Sequence, residues 1–489
     1  MIALDAIIDF LAGLWPLFAA GATLLMSIIA SVHAILTKRE TSAAVGWVGV
    51  IWLAPFIGTV LYLILGINRI SRRAMNRRGD IPAFHASDRL EPCTLESLEE
   101  YLPADKRHLA SLASVVNRLT SRPLLGGNRI MPLLDGDDAY PRQLEAIEDA
   151  RSSVSLTTYI FANDRTGRAF VDALARAVKR GVEVRVLIDA VGARYSFPTI
   201  LNRMNRAGIN VARFMPSIVP WQMAYLNLRS HRKILVVDGQ IGFTGGMNIA
   251  QGNRLRDKPS HPIRDLHFEV AGPVVSELQE AFAEDWAFSR GETLSGRRWF
   301  PETEPAGDVI ARGITDGPDE SFDRLRLTLH GALATARESV RIATPYFLPD
   351  NSLINAINTA AMRGVEVDIL VPEHNNLRFV DWASLAQIDQ LLRWGCRVWR
   401  TPRPFEHTKL MVVDGFWSLL GSANWDPRSL QLNFEFNLEC YQHDLAARLE
   451  QLVLEKKKGS RELTLADVEG RPLPVKVRDG VARLLSPYL

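Results

Sequence analysis

The chain contains one pattern of apolar runs twice, and this internal repeat limits its fold more than any other feature. Residues 153–161 resemble residues 339–347, and residues 180–188 resemble residues 363–371. In each copy an apolar, β-branched run is followed by a helical pattern, a glycine and a second apolar run. Strand, helix and strand with continuous apolar strands indicate a sheet that is covered on both faces. We therefore predict two pseudo-symmetric α/β domains of about 170 residues each.

Polar residues recur at matching positions of the two copies. They share the pattern H-x-K-x4-D-x6-G-x-x-N with identical spacing. The pattern consists of His231, Lys233, Asp238, Gly245 and Asn248 in the first copy and of His407, Lys409, Asp414, Gly421 and Asn424 in the second. A single His-x-Lys pair on a strand is most often a packed or surface pair, but two matches of five specified residues exceed chance by far. The motif therefore indicates a functional site.

The spacing of the motif predicts where its side chains lie. Residues two apart on a strand face the same side, so each histidine is expected beside its lysine on a strand. The Asp-Gly pairs at 238–239 and 414–415 are strong hairpin-turn signals, and each asparagine then follows the second strand of its hairpin. Parity places Asp238 and Asp414 on the opposite face. We expect these two to hold the turn or a nearby cation and not to touch substrate.

The residue types suit the transfer of a phosphoryl group. Lysine ammonium groups can stabilise a phosphoryl oxyanion. The same support is expected from Asn248 and Asn424 and from the loops at Gly245 and Gly421. Histidine titrates near neutrality, so one ring can be a nucleophile while the other is an acid. This combination favours in-line displacement through a covalent phospho-histidine. No metal and no cofactor are expected, because the lysines supply the positive charge and no acidic or Cys/His cluster suggests a metal site.

A nucleophilic histidine needs an orienting partner on its other ring nitrogen. Asp265 lies 34 residues after His231, and Glu435 lies 28 residues after His407. Both fall in strand-like runs. We predict that these two carboxylates orient the histidines; the alternative is that each forms a surface salt bridge.

Two uncharged stretches, at 10–32 and 43–67, lie near the N-terminus. Each is long enough to cross the hydrocarbon core, which takes about 20 apolar residues. A buried core helix rarely stays apolar on every face for this length, and a signal peptide begins with basic residues, whereas this chain begins with Asp5 and Asp9. We predict a transmembrane hairpin over residues 1–68, followed by a basic linker at 69–125.

Five arginines follow the second stretch, namely Arg69, Arg72, Arg73, Arg77 and Arg78. Basic residues beside a span mark its cytoplasmic side, so the rest of the chain is predicted to be cytoplasmic. The whole chain, by contrast, has 57 Lys and Arg against 55 Asp and Glu, a net charge of +2. A protein that binds nucleic acid over its surface needs a larger basic excess. We expect membrane lipids as partners and no nucleic acid, and the oligomeric state stays open.

The duplicated motif resembles that of the phospholipase D superfamily over about residues 125–489. The N-terminal stretches, with Leu-Ala-Pro-Phe-Ile-Gly at 53–58, look like the membrane anchor of bacterial cardiolipin synthases. Residues 229–233, Arg-Ser-His-Arg-Lys, are similar to that family's Arg-Asn-His-Arg-Lys. Gly246 replaces the serine that commonly follows the motif glycine, whereas Ser422 keeps it. The resemblance therefore adds Ser422 to the expected oxyanion support.

The resemblance implies an α/β fold of two phospholipase D-type domains, at 126–295 and 296–489, with mixed sheets covered by helices. It implies an enzyme of the bacterial cell (inner) membrane that converts two phosphatidylglycerol molecules into cardiolipin and glycerol. By analogy, His231 attacks phosphorus and His407 protonates the leaving glycerol. The alternatives are hydrolysis by water, transfer to serine or ethanolamine, a nuclease-type phosphodiesterase and a non-catalytic membrane scaffold.

Overall fold

The computed structural model describes residues 2–38, 41–66, 90–215, 229–317 and 323–486. These residues fall into two units, with residues 2–66 in the first and residues from 90 onwards in the second. The predicted basic cluster at 69–78 lies outside the described residues.

The first unit is helical. Its first helix, Ile2–Thr37, contains a stretch from Leu14 to Thr37 that is long and apolar enough to cross a membrane. The second predicted span is divided into three segments: the helices Thr41–Leu53 and Pro55–Leu61 and a π-helical turn at Tyr62–Gly66. The break falls directly before Pro55, because proline has no N–H donor and starts a helix more readily than it continues one. The predicted hairpin is therefore found in part.

The helices of this unit touch through small and polar side chains. Ser27 Oγ lies 3.2 Å from Thr59 Oγ1, and His33 Nδ1 lies 2.7 Å from the hydroxyl oxygen of Tyr62. Ala30 is buried in the same contact. Small residues and polar pairs are typical of contacts between helices in lipid.

The second unit consists of two halves that repeat the same elements. The strands of the first half are β1 (Leu125–Leu134), β2 (Ser153–Thr158), β3 (Glu183–Asp189), β4 (Asn210–Phe214), β5 (Arg229–Ser230), β6 (Ile234–Val237), β7 (Ile241–Gly245), β8 (Ile263–Arg264) and β9 (Leu266–Ala271). Those of the second half are β10 (Val309–Asp316), β11 (Ser339–Ala343), β12 (Glu366–Pro372), β13 (Arg397–Thr401), β14 (Phe405–Glu406), β15 (Leu410–Val413), β16 (Trp417–Gly421), β17 (Asn433–Tyr441) and β18 (Arg461–Leu463).

Helices connect and cover these strands. Before β1 come Leu95–Tyr101 and Ala110–Asn117. The first half contains Asp135–Asp149, Arg165–Lys179, Leu201–Arg206 and Val275–Arg290. The second half contains Arg324–Thr335, Asn351–Met362, Arg378–Leu385, Asp389–Leu392, Pro427–Gln431, His443–Lys458, Leu465–Glu469 and Leu473–Leu484.

One sheet runs through both halves. The first half contributes the order β4-β3-β2-β6-β7-β9-β1, and the second contributes the equivalent order β13-β12-β11-β15-β16-β17-β10, with β18 at its edge. β1 and β10 pair antiparallel at the centre and join the two halves. β2, β3 and β4 are parallel, whereas β6, β7 and β9 are antiparallel to their neighbours. The predicted α/β fold with mixed sheets is confirmed.

The hydrophobic core continues from one half into the other. One cluster contains Phe268 and Leu278 of the first half together with Phe436 and Leu449 of the second. Its helical members belong to the equivalent helices of the two halves, Val275–Arg290 and His443–Lys458. Because this core is shared, the two halves pack together as one compact unit.

Residues 90–124 form part of the second half, although the sequence placed them in the linker. Leu98, Leu112 and Val116 are buried in the same cluster as Leu329 and Ile342. The two helices before β1 therefore contribute to the core of the second half, although they lie outside the repeated segments.

Candidate active site

His231 lies between two strands that pair with different halves of the second unit. β5 pairs in parallel with β17 of the second half, and the N–H of His231 donates to the carbonyl oxygen of Phe434 at 2.9 Å. β6 begins at Ile234 and pairs with β2 of the first half. The strand that was expected to carry His231 and Lys233 therefore begins only after Lys233, because residues 231–233 cross from one half to the other.

His407 has the symmetric arrangement. β14 pairs in parallel with β8 of the first half, and the N–H of His407 donates to the carbonyl oxygen of Arg264 at 2.7 Å. β15 begins at Leu410 and pairs with β11 of its own half. Each motif histidine is thus attached through its backbone to the opposite half.

Each histidine also takes its carboxylate partner from the opposite half. His231 Nδ1 lies 3.0 Å from Oε2 of Glu435, and His407 Nδ1 lies 2.7 Å from Oδ2 of Asp265. The sequence suggested a pairing within each half, but the structure exchanges the partners, because the parallel pairings bring Glu435 next to His231 and Asp265 next to His407. A carboxylate can only accept, so these contacts place a proton on Nδ1 of each ring; Nδ1 of His407 also lies 2.9 Å from Lys409 Nζ. The lone pair of each neutral ring is then on Nε2.

The two motif lysines complete the cluster. Lys233 Nζ donates to the carbonyl oxygen of His231 at 2.7 Å, and Lys409 Nζ donates to that of His407 at 2.5 Å. Burial lowers the pKa of Lys233 to about 7 and that of Lys409 to about 8, while the charge of Glu435 opposes both shifts. Two lysines and two carboxylates therefore lie together at the site, and the lysines lose their charge as the pH rises through about 7 and 8. Within the described part of the chain, no group of three or more His, Cys, Asp or Glu side chains is placed to hold a metal ion.

Both motif histidines are neutral at pH 7 in the free protein. Burial lowers the pKa of His231, and burial followed by the charge of Lys409 lowers the pKa of His407 to about 4. Each ring is also affected by the lysine of the opposite half, which places both lysines within electrostatic reach of both rings. An anionic phosphodiester would raise both pKa values, because a nearby negative charge favours imidazolium. The site is thus suited to a neutral nucleophile and to an acid that forms when an anion binds.

The two carboxylates have different surroundings. Glu435 accepts hydrogen bonds from Ser422 Oγ at 2.5 Å and from Asn433 Nδ2 at 3.1 Å. A side chain at Gly246, the equivalent of Ser422, would lie 2.5 Å from Oδ1 of Asp265, so only glycine fits there. Ser422 was expected to support a substrate oxyanion. In the structure its hydroxyl donates to the carboxylate that holds His231, and a contact with a substrate oxyanion stays a prediction.

The motif glycines and asparagines shape the loops around the cluster. Side chains at Gly245 and Gly421 would meet the carbonyl oxygens of Leu266 and Phe436, so glycine allows each hairpin to approach the strand next to it. Asn248 Oδ1 accepts from the N–H of Ile160 at 3.0 Å. In the second half, Asn424 Nδ2 donates to Ser429 Oγ at 3.1 Å. These contacts fix the loops after β7 and β16; a contact with the phosphoryl group stays a prediction.

Asp238 and Asp414 lie at the other ends of β6 and β15, roughly 16 Å along the strand from the lysines. Each accepts hydrogen bonds from three successive backbone N–H groups, residues 151–153 for Asp238 and residues 337–339 for Asp414. Both have φ of 52°, the left-handed conformation that a two-residue hairpin turn requires. They hold the turn, as expected, and do not touch the reacting groups.

Other residues of the site were not assigned from the sequence. Tyr159 lies with its ring centroid 5.5 Å from that of His231, and Tyr346 lies 6.2 Å from His407. Asp189, at the end of β3, accepts from the N–H of Ser230 at 3.0 Å and so fixes β5 directly before His231. An acidic residue that ends an apolar strand was the only signal for Asp189 in the sequence.

A family described as cardiolipin synthase, phospholipase D-like domain, matches residues 144–286 and 329–456, one segment in each half and more than half of the chain. The chain belongs to this cardiolipin synthase family. A second family, described as the N-terminal region of phospholipase D-nuclease, matches residues 25–66. The resemblance inferred from the duplicated motif and from the N-terminal stretches is confirmed.

Relatives match over almost the whole chain. The chain is 32% identical to the major cardiolipin synthase of Bacillus subtilis (strain 168) over 461 residues, which is 92% of this chain and 95% of that protein. It is 30% identical to a cardiolipin synthase of Staphylococcus aureus (strain N315) over 480 residues, 96% of each chain. The crystal structure of phosphatidylserine synthase from Haemophilus influenzae Rd KW20 has a TM-score of 0.60 at 16% identity, covering 77% of this chain and 100% of that one. That likeness shows a shared fold.

Proposed function

We propose that this chain is a cardiolipin synthase, which transfers the phosphatidyl group of one phosphatidylglycerol molecule to a second and releases glycerol. The observation that carries this proposal is the exchange of partners between the halves. Each motif histidine is bound at Nδ1 by a carboxylate of the opposite half, which leaves Nε2 of both rings for chemistry. Its relatives in Bacillus subtilis and Staphylococcus aureus carry the name cardiolipin synthase.

In the first step, Nε2 of His231 attacks the phosphorus atom of phosphatidylglycerol. The bond between phosphorus and the headgroup oxygen breaks, and this oxygen takes the Nε2 proton of His407. The step releases glycerol and leaves the phosphatidyl group bonded to His231. Lys233 and Lys409 stabilise the negative charge on the phosphoryl oxygens.

In the second step, His407 is neutral and acts as a base. Its Nε2 takes the proton from a glycerol hydroxyl of a second phosphatidylglycerol. The hydroxyl oxygen attacks phosphorus, the bond to His231 breaks, and cardiolipin leaves. A bilayer or micelle surface holds lipid acceptors at high local concentration, which favours a lipid hydroxyl over water.

The carboxylates of the two histidines differ in their contacts, but these contacts do not decide which ring is the acid. Oδ2 of Asp265 lies 2.7 Å from Nδ1 of His407, and Oε2 of Glu435 lies 3.0 Å from Nδ1 of His231. Glu435 also accepts hydrogen bonds from Ser422 and Asn433. The roles of His231 as nucleophile and His407 as acid therefore follow the resemblance to the superfamily. An anionic substrate has to raise the pKa of His407 from about 4 before this ring can act as the acid.

The proposal includes a place in the membrane. The helix Ile2–Thr37 contains one span, and the divided segment at 41–66 forms the second, so that the chain crosses twice and the catalytic halves are cytoplasmic. The arginines at 69–78 support this orientation through the excess of basic residues on the cytoplasmic side.

The test uses purified full-length protein in detergent micelles with phosphatidylglycerol that carries one label in an acyl chain and another in the headgroup glycerol. We expect acyl label in cardiolipin and headgroup label in free glycerol as well as in cardiolipin. Phosphatidic acid as the only new lipid would replace this proposal with a hydrolase. The absence of turnover would favour a scaffold.

The matched variants are His231→Ala, His407→Ala and His443→Ala. The first two are expected to abolish turnover, because each removes one partner of the displacement. His443 is exposed and lies outside the site, so its variant is expected to keep full activity. Substantial turnover in either of the first two variants would remove that residue from the mechanism.

A further inference from the structure

The helix Leu473–Leu484 exposes an apolar stripe on the surface of the second unit. Leu473, Val477, Val481 and Leu484 are exposed by 73, 56, 55 and 78%. At about 100° per residue, these four side chains fall within roughly 80° of one another around the helix axis. A continuous stripe of this kind is unusual on a water-facing surface, where apolar residues are normally scattered.

The opposite face of the same helix is fixed to the protein. Ala482 is buried there and belongs to the same small apolar cluster as Ala383. Asp479 is also buried, and it is bound by Arg471 and by Arg478. The helix is therefore anchored by one face, and the apolar stripe is held outward.

The neighbouring helix Arg378–Leu385 extends the apolar surface. Trp382 packs against the cluster that contains Ala482, and the guanidinium of Arg478 lies 4.3 Å from the centroid of the Trp382 ring. The ring centroid of Phe379 lies 5.2 Å from that of Trp382, and Phe379 is itself 55% exposed. Two adjacent helices thus carry apolar side chains at this part of the surface.

Basic residues border the stripe on both sides. Lys476 and Arg483 lie on one side of it around the helix axis, and Arg478 lies on the other. The acidic residue of the helix, Asp479, is buried and paired. An apolar stripe between cations is the pattern of a helix that lies in a membrane interface, where long basic side chains reach the headgroups.

We propose that the stripe Leu473, Val477, Val481 and Leu484 docks the second unit on an anionic lipid surface. The charges favour this occupant over a second copy of the chain. A two-fold contact through the same face would bring the basic residues that border the stripe in both copies together, whereas anionic headgroups neutralise them. The proposal does not depend on the reaction, since it concerns where the second unit binds and not what it catalyses.

The test places an environment-sensitive fluorophore on the stripe by Val481→Cys in the full-length protein, with Cys93→Ser to leave one accessible thiol. Cys396 and Cys440 are buried. The same fluorophore at Glu302→Cys is the control, because that side chain is 89% exposed and is not apolar. The proteins are reconstituted in nanodiscs of phosphatidylglycerol and phosphatidylcholine. Quenching is measured with a nitroxide lipid and with aqueous iodide.

We expect the nitroxide lipid to quench the probe at 481 several-fold more than the probe at 302, and iodide to show the reverse order. In phosphatidylcholine alone, or in the variant Lys476→Gln/Arg483→Gln, lipid quenching at 481 is expected to decrease. Equal access of iodide to both positions would overturn the proposal. Shielding of position 481 from both quenchers would also overturn it, since a protein then covers the stripe.

Hydrogen exchange of the unmodified chain gives a second measurement that needs no substitution. Amides of residues 473–485 are expected to exchange more slowly in nanodiscs that contain phosphatidylglycerol than in phosphatidylcholine alone. Identical exchange in the two lipids would contradict the proposal. Because neither measurement uses turnover, their failure is distinct from a failure of the proposed cardiolipin synthesis.

Discussion

Glu435→Gln tests the exchanged partners most sharply, because it keeps the shape of the side chain and removes its charge. Glu435 is fully buried and lies 3.0 Å from Nδ1 of His231. When His231 attacks phosphorus, its ring becomes cationic, and the carboxylate stabilises that charge. The variant is therefore expected to slow formation of the phosphatidyl-enzyme while substrate binding changes little.

The size of the effect follows from the loss of one charged hydrogen bond. A hydrogen bond to a charged group contributes about 1.5–3 kcal/mol, against about 1 kcal/mol for a neutral one. Two unit charges about 4 Å apart interact by about 4 kcal/mol at an effective dielectric constant of 20. These limits bracket the loss at about 0.5–4 kcal/mol, which corresponds to a rate reduced by about 2-fold to 1000-fold.

The assay is a single turnover with excess enzyme, in which release of headgroup glycerol is followed after rapid quenching. Glu439→Gln is the matched control, since Glu439 is a buried glutamate on the same strand that pairs with Arg312 instead of a histidine. It is expected to lower the melting temperature without slowing glycerol release by the folded protein. A wild-type rate of release in Glu435→Gln would refute the role given to the exchanged carboxylate.

Three further outcomes are expected. The ratio kcat/KM should decrease as pH rises from 7 to 9, because Lys233 and Lys409 must be protonated to hold the phosphoryl oxygens and have pKa values of about 7 and 8. A flat profile to pH 9 would contradict this. Gly246→Ser should lower kcat, since its side chain would displace Asp265; unchanged kcat would mean that the loop adapts. His108→Ala should lower the free energy of unfolding by about 1–3 kcal/mol at unchanged kcat, since it removes the side-chain partner of the buried Asp414 carboxylate. An unchanged denaturation midpoint would show that the contact adds no stability.

The repeat was predictable because its signals are local. Apolar β-branched runs, a glycine after each helix and the Asp-Gly turns all act within a few residues, and the two copies support each other. The hairpin turns at 238–239 and 414–415 appear where the spacing places them, although the strands before the turns begin only after Lys233 and Lys409. The mixed sheet of each half follows from these elements.

The exchange of partners was not predictable because it depends on distant pairings. Glu435 is 204 residues from His231, and Asp265 is 142 residues from His407. Only the parallel pairings of β5 with β17 and of β8 with β14 bring them together, and each involves just two residues of a strand. Such short pairings leave no pattern in the sequence. The same holds for the contact between His108 and Asp414, which depends on packing of residues 90–124.

The most direct test of the double displacement is to locate the covalent intermediate. Full-length protein is mixed with phosphatidylglycerol, quenched with denaturant at mildly alkaline pH, which preserves both a phospho-histidine and the acyl esters, and digested for mass spectrometry. We predict a phosphatidyl group on the peptide that contains His231 and none on the peptide that contains His407, with the adduct lost in His231→Ala. An adduct on His407 alone would reverse the two roles, and turnover without an adduct on either histidine would contradict the mechanism.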